Sequence, residues 1–366
     1  MITNILLSLA MALASPADTS VVVSPSGHEY VPTILCPNST DAFLHDCAIT
    51  EFKGKLIAAW YNCPVEEMED ASVIRGAISC DGGRTWGDVL DFIDDPDWLY
   101  VPPAFGTDGR RLYMFVSRMH GPDLVDDCET FVFNARKSRF RKVACFGDHF
   151  LPNTPASRLA SGKWIIGGRV SDSSEERPGY PAVAISRGRR LRGHWDIVRI
   201  SDTNLGPNGE PFDCPETGLV VEADGVTLTA FVRSHAVEGE GAYIYISKDA
   251  GRSWSGPSPM PFAVEPVKLT AGRLHDGRRY LLGNPGGKDR TELSIWTTSP
   301  DDIFFEHARM TTIAAGNYSG GINPAYHYPS VWETGGCLHL VFTCGRGEGQ
   351  RLAAYMCLDT SDSSIF

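Results

Sequence analysis

The 366-residue chain predicts an all-β fold closed into a six-bladed β-propeller, and three observations carry that prediction. First, Ser79-Cys80-Asp81-Gly82-Gly83-Arg84-Thr85-Trp86 and Ser247-Lys248-Asp249-Ala250-Gly251-Arg252-Ser253-Trp254 share one pattern, S-x-D-x-G-x-S/T-W. Second, 37 Gly, 24 Pro, 8 Trp and 12 Tyr mark many short strands joined by turns. Third, units of apolar strand, Gly turn and apolar strand recur about 50 to 60 residues apart, the length of a four-stranded blade. A β-sandwich would also give short strands, but it would not repeat one turn motif at a fixed period.

The shared motif suits a tight turn. The Asp carboxylate can accept from nearby backbone N–H groups, and Gly supplies an open backbone conformation. Ser hydrogen-bonds back and the indole packs beneath, so the motif staples a hairpin at the outer part of a blade. Blade 1 runs from Cys47 to Trp86, with Lys55-Leu56-Ile57-Ala58-Ala59-Trp60 as its second strand. The equivalent strands are Arg111–Val116 in blade 2, Lys163–Gly168 in blade 3, Val226–Val232 in blade 4, Arg279–Gly283 in blade 5 and Cys337–Phe342 in blade 6. Degenerate copies of the motif fall at Ser186 to Trp195 and at Ser299-Pro300-Asp301-Asp302. The segment from Thr19 to Leu35 is left over and is expected to supply the outer strand that closes the last blade.

A net charge of −12 argues against a nucleic-acid partner, so an anionic ligand must be held by local arginines. No apolar run in the body is long enough to span a membrane. Residues 1–17, with an apolar run from Ile5 to Ala14 before Ser15-Pro16-Ala17, read as a secretory signal, which predicts a secreted or periplasmic protein. The propeller is then residues 18–366. None of the ten cysteines forms a CxxC pair, so no thiolate metal site is expected, and they read as small buried strand residues. No sequence feature calls for a metal or an organic cofactor. Asn38-Ser39-Thr40 and Asn317-Tyr318-Ser319 match the glycosylation sequon.

In a propeller the innermost strands line a central funnel, so equivalent positions of successive blades meet around one axis. At the start of those strands the blades present His45 and Asp46, Pro102, Thr154, Glu216, Glu265 and Tyr328. After the next strand they present Asn62, Arg118, Arg169, Arg233, Asn284 and Arg346. Four arginines in one ring point to an anionic ligand, because a guanidinium fork binds a carboxylate or sulfate bidentately.

The repeated turn resembles the Asp-box of sialidases and related BNR-repeat proteins, and the axial residues extend the likeness to exo-sialidases. Those enzymes carry a Glu and then an Arg in blade 4 shortly before an Asp-box; here Glu216 is followed by Phe231-Val232-Arg233-Ser234 and the box at Ser247. They carry an Arg past an Asn-Pro in blade 5, matched by Asn284-Pro285-Gly286-Gly287-Lys288-Asp289-Arg290, and a Tyr opening a strand of blade 6, matched by Tyr328-Pro329-Ser330-Val331. The resemblance implies an exo-acting glycosidase that removes a terminal acidic sugar from a glycan with retention. In it Tyr328 attacks, Glu216 takes its proton, and Arg233 and Arg290 hold the sugar carboxylate. The family's acid lies on a blade 1 loop, here Cys63 to Asp70. Asp70 is the choice there, with Glu66, Glu67 and Glu69 as rivals.

Blade 1 departs from the family. Sialidases open it with Phe or Tyr, Arg, Ile, Pro, whereas this chain reads Phe43-Leu44-His45-Asp46-Cys47 and lacks the arginine. Three expectations follow. Two arginines and an imidazole bind the anion, or Arg118, Arg169 or Arg346 substitutes, or the ligand is not a sialic acid. Two further readings stay open: a uronic-acid-specific hydrolase or lyase using His45 with Tyr328, and a non-catalytic glycan-binding propeller.

Overall fold

The expected second strands are largely continuous apolar runs, interrupted by Thr227 and Thr229 in blade 4 and His339 in blade 6, which points to burial on both faces. A blade packed between two neighbours provides that. In the computed structural model, residues 22–23, 29–30, 32–36, 43–68, 71–120, 124–171, 179–207, 209, 212, 214–235, 241–315, 325–345 and 351–366 are described. They form six antiparallel sheets around an axis and a separate two-stranded sheet of Val22–Val23 with Glu29–Tyr30, with no α-helix among them. The proposed signal segment, both sequons, Glu69, Asp70 and Arg346 lie outside the described residues.

From axis to rim, blade 1 is Phe43–Phe52, Lys55–Cys63, Val73–Ser79 and Leu90–Asp94. Blade 2 is Leu99–Thr107, Leu112–Met119, Val125–Asn134 and Arg139–Asp148. Blade 3 has a split inner strand, Phe150–Pro152 and Ser157–Arg158, then Trp164–Ser171, Gly179–Ser186 and Trp195–Arg199. Blade 4 is Thr217–Val221, Leu228–Arg233, Ala242–Ser247 and Ser255–Pro259, and blade 5 is Thr270–Arg273, Arg279–Gly283, Glu292–Thr298 and Arg309–Ala315. Blade 6 contributes Tyr326–Thr334, Cys337–Cys344 and Leu352–Asp359; its outer strand is Thr33–Cys36, from the other end of the chain. The leftover N-terminal segment thus closes the ring, as its position predicted.

Six apolar clusters fill the six gaps between neighbouring blades. Phe92 and Phe105 meet between blades 1 and 2, Phe150 and Phe115 between 2 and 3, and Trp60 and Val341 between 6 and 1. A fully buried side chain of this size contributes about 1.5–3 kcal/mol, so the gaps carry most of the fold's stability. Five of the ten cysteines, Cys36, Cys47, Cys63, Cys128 and Cys344, are buried in these strands. One polar staple joins blades 4 and 5. Arg279 donates through both terminal nitrogens to Glu222 at 2.8 and 2.6 Å, and Thr229 completes the carboxylate at 2.7 Å.

Both Asp-boxes adopt one hydrogen-bond plan. Ser79 Oγ accepts from Gly83 N at 2.9 Å and donates to Asp81, whose carboxylate takes the Thr85 backbone and hydroxyl at 2.9 and 2.6 Å. Ser247, Asp249, Gly251 and Ser253 repeat these bonds, with Gly83 and Gly251 at positive φ. The degenerate copies keep part of the plan. Ser186 bonds Gly188 and Trp164, and Asp302 takes Thr298 and two backbone N–H groups.

Candidate active site

Three inner strands interrupt their ladders at equivalent places. In blade 6 pairing jumps from His327↔Thr343 to Ser330↔Val341, and in blade 1 from His45↔Tyr61 to Ala48↔Ala59. In blade 2 it jumps from Val101↔Ser117 to Ala104↔Phe115. Two residues oppose one in each, which is a β-bulge, and a bulge re-aims the side chain it releases. Tyr328 and Asp46 occupy the same place in their bulges at φ 47° and 50°. A non-glycine residue held there costs of order 1–3 kcal/mol, a strain that accumulates at functional sites. Tyr328, Asp46 and Pro102 are thereby turned onto one cavity of about 390 Å³.

Glu216, just before the blade 4 inner strand, and Arg233, at the end of the next, reach the same cavity. Arg233 NH1 donates to Glu216 Oε2 at 2.6 Å and to the Tyr328 hydroxyl at 2.6 Å, while NH2 donates to His235 Nε2 at 2.6 Å. One guanidinium nitrogen therefore ties the carboxylate to the phenol, and the two oxygens cannot be further apart than the sum of those contacts. Burial pushes the Glu216 carboxyl up, but the charges of Arg233, Lys268 and Arg169 outweigh it and hold the group below the ordinary glutamate range. Burial first, then the Glu216 carboxylate, push Tyr328 above the ordinary tyrosine range against the pull of Arg233 and Arg290. At neutral pH the pair is an ionised base beside a neutral phenol.

Arg290, at φ 59° in the loop after Asn284, lies 5.9 Å from the Tyr328 ring centre. Its NH1 donates to His327 Nδ1 at 3.0 Å, so His327 carries its proton on Nε2 and gives it to Gly345 O at 3.1 Å. Arg169 lines the cavity too and is 5% exposed. Arg118, expected in the same ring, is placed elsewhere. It pairs with Asp126 and Glu129 and lies over the Trp98 ring at 4.3 Å, because the next strand supplies acids within its reach. Thr154 and Glu265 also turn away. Thr154 accepts from Gly167 N at 2.8 Å in the gap of the split strand, and Glu265 takes the backbone N–H groups of Lys288 and Asp289.

The sequence reading missed Arg351. This residue precedes the third strand of blade 6, packs over the Phe43 ring at 4.2 Å and lines the cavity. Its Nε and NH1 are buried with no hydrogen-bond partner among the described residues. Burial lowers its pKa, and the Arg290 charge adds to the lowering against the opposing pull of Glu67 and Tyr61. A guanidinium from blade 6 thus lies against the face of Phe43 at the start of blade 1. No sequence motif marks it.

His45 packs against the Tyr328 ring, tilted by 33° with centroids 4.5 Å apart, and its pKa is driven well down by burial and then by Arg351 and the other nearby charges. Asp46 is bonded to Lys268, another residue the sequence reading passed over; burial still raises the Asp46 carboxyl to about 6. Of the blade 1 loop acids described, Glu67 lines the cavity and accepts from Tyr61 Oη at 3.0 Å, while Glu66 is exposed away from it. Four arginines, Arg169, Arg233, Arg290 and Arg351, line the cavity with three acids, Glu216, Asp46 and Glu67, and Lys268 pairs with Asp46 from behind. The cavity is therefore cationic inside a protein of net charge −12. Among the described residues no group of three His, Cys, Asp or Glu is arranged to hold a metal ion.

A family model described as a BNR repeat-like domain matches residues 54–340. No curated protein matches the chain by sequence. Among solved structures, a Dyadobacter fermentans protein of unknown function aligns with TM-score 0.67 and 14% identity, covering 90% of this chain and 98% of its own. The intramolecular trans-sialidase of Ruminococcus gnavus, in complex with oseltamivir carboxylate, aligns with TM-score 0.66 and 11% identity, covering 93% of this chain and 99% of that one. A Trypanosoma rangeli sialidase mutant displaying trans-sialidase activity aligns with TM-score 0.65 and 14% identity, covering 94% of this chain, which spans 60% of its length. The family match over most of the chain, with six blades and two Asp-boxes, makes this protein a member of the BNR repeat-like family with a sialidase-type β-propeller fold.

Proposed function

We propose that this protein is an exo-acting, retaining glycoside hydrolase that removes a terminal sialic acid, or a closely related carboxylated sugar, from a glycan. The observation that carries the reading is the single Arg233 nitrogen bonded at 2.6 Å to both Glu216 and Tyr328. A sugar with a carboxylate on its anomeric carbon repels a carboxylate nucleophile, whereas a neutral phenol activated by an adjacent base is not repelled. The Tyr328 proton passes to Glu216 as the phenolic oxygen attacks the anomeric carbon and the glycosidic C–O bond breaks. The leaving oxygen takes a proton from an acid of the blade 1 loop. Glu67 is the described acid of that loop on the cavity wall, and Asp70 is its rival. Water then attacks the anomeric carbon and gives its proton to the loop carboxylate, while the tyrosyl–sugar bond breaks and Glu216 returns its proton to the Tyr328 oxygen. Arg233, Arg290 and Arg351 hold the substrate carboxylate, with Arg351 in the role that the blade 1 arginine has in sialidases.

The structures of similar fold described as sialidases or trans-sialidases support this substrate class. The His45 ring packs against the Tyr328 ring, tilted by 33° with centroids 4.5 Å apart, while the phenol oxygen is bonded to Arg233, which favours the hydrolase over a His–Tyr acid–base lyase. The test is sugar release from sialylated, uronylated and sulfated glycans and from an aryl α-glycoside of N-acetylneuraminic acid. Tyr328→Phe and Glu216→Ala are each expected to lower turnover by about 10²–10⁴-fold with circular dichroism and melting temperature retained. The acid limb of kcat/KM is expected below the ordinary glutamate range, because Glu216 must stay ionised. Near-normal turnover in either variant, or an unsaturated product absorbing in the near ultraviolet, overturns the reading.

A further inference from the structure

Lys268 and Asp46 form a buried ion pair across the propeller floor, and each side chain is 6% exposed. Lys268 precedes the inner strand of blade 5 and Asp46 sits in the bulge of blade 1, so the pair spans two blades that are not neighbours. It lies beneath Tyr328 of the blade between them, with the ammonium 4.8 Å from the ring centre. A second axial cavity, of about 240 Å³, opens on the other side of Lys268, lined by Pro103, Asn153, Thr270 and Ser330 among others. The ion pair therefore forms a septum between the nucleophile's cavity and the rest of the axial channel.

Taking two charges out of water costs several kcal/mol per ion, and their attraction rarely leaves a net gain over an apolar pair of equal volume. Fold stability alone therefore gives a poor account of these residues. Their position relative to Tyr328 gives a better one. The phenol oxygen is held by Arg233, one ring face by His45, and the adjacent Pro329 carbonyl by the Thr270 hydroxyl, while Lys268 lies nearer the ring centre than Arg290, at 4.8 against 5.9 Å. An ammonium beside an aromatic face is attracted to it. As the phenol proton leaves for Glu216 the same charge favours the developing phenolate.

We propose that Lys268 is a positioning residue for the Tyr328 nucleophile, seating the ring and assisting its ionisation, and that Asp46 fixes the ammonium at that point. The proposal rests on the hydrolase reading above and deepens it. Lys268→Met keeps the length and removes the charge, and Lys268→Arg restores the charge. With an aryl α-glycoside of N-acetylneuraminic acid as probe, Lys268→Met is expected to lower kcat about 10–100-fold with KM within about twofold of wild type. Lys268→Arg is expected to recover most of the loss. Should Lys268→Met alone fail to fold, the Asp46→Asn/Lys268→Met double variant removes both charges together and is expected to fold and remain slow.

A rate within twofold of wild type in folded Lys268→Met overturns the proposal, as does a parallel rise of KM that accounts for the whole loss. Tyr328→Phe in the same assay separates the two readings. An active Tyr328→Phe sinks the hydrolase mechanism itself. An inactive Tyr328→Phe beside a normal Lys268→Met sinks only the role given to Lys268.

Discussion

At the rim of the propeller, Ser79, Asp81, Gly83 and Thr85 turn the chain with every donor matched to an acceptor and with glycine in the left-handed conformation. At the axis, Tyr328 and Asp46 turn it with non-glycine residues in that conformation, beside cations that crowd one another. The rim turns lower the free energy of the fold. The axial bulges raise it locally and aim a phenol, a carboxylate and several guanidinium groups at one volume. Substitutions at the rim should therefore cost stability and spare the rate per folded molecule, while substitutions at the axis should do the reverse.

The sharpest way to break this division lies outside the cavity, at the staple between blades 4 and 5. Glu222→Gln leaves Arg279 buried without its ionic partner and is expected to cost about 3–5 kcal/mol, measured by urea unfolding, with the activity of the folded fraction unchanged. Loss of rate per folded molecule there would show that the fold and the site are not separable. At the axis, Arg351→Met is expected to weaken binding of the free product sugar by about tenfold or more, read by calorimetry. Its melting temperature should stay level or rise, because the variant relieves a buried guanidinium that, among the described residues, lacks partners at Nε and NH1. A fall in stability with binding intact would reverse the assignment. The smallest effect belongs to the rim. Ser79→Ala strands the Gly83 N–H and should cost about 1 kcal/mol, and Ser247→Ala should match it, since the two hairpins share one bonding plan.

The rim was readable because its chemistry is contiguous in sequence. Ser79 to Trp86 contains the whole hairpin, so two copies sufficed to set the blade register and to find Glu216, Arg233, Arg290 and Tyr328. The axis was readable only where register alone decides position. Arg118 and Arg169 hold equivalent places, yet Asp126 and Glu129 capture Arg118 through contacts from the neighbouring strand that no motif announces. Arg351 and Lys268 were missed for the converse reason. Each lies in an ordinary stretch, and its meaning comes from residues hundreds of positions away: Phe43 for Arg351, and Asp46 for Lys268. The bulges were equally hidden, because releasing two residues from a ladder leaves the apolar pattern on either side intact.

Blade 6 is assembled from both halves of the molecule, Thr33–Cys36 pairing with Leu352–Asp359, and it also carries Tyr328 and Arg351. On the ribosome the first of these strands emerges and must wait while the intervening chain is made, an interval of roughly 15 to 60 s at ordinary elongation rates. Through that interval Tyr328 and Arg351 cannot meet Glu216 and Arg233 around one cavity, so the candidate site is incomplete until the last blade forms. Joining the present ends and reopening the ring between two other blades would move the waiting strand elsewhere. Such permutants would reveal whether late completion of the blade that carries Tyr328 matters to the cell that makes it.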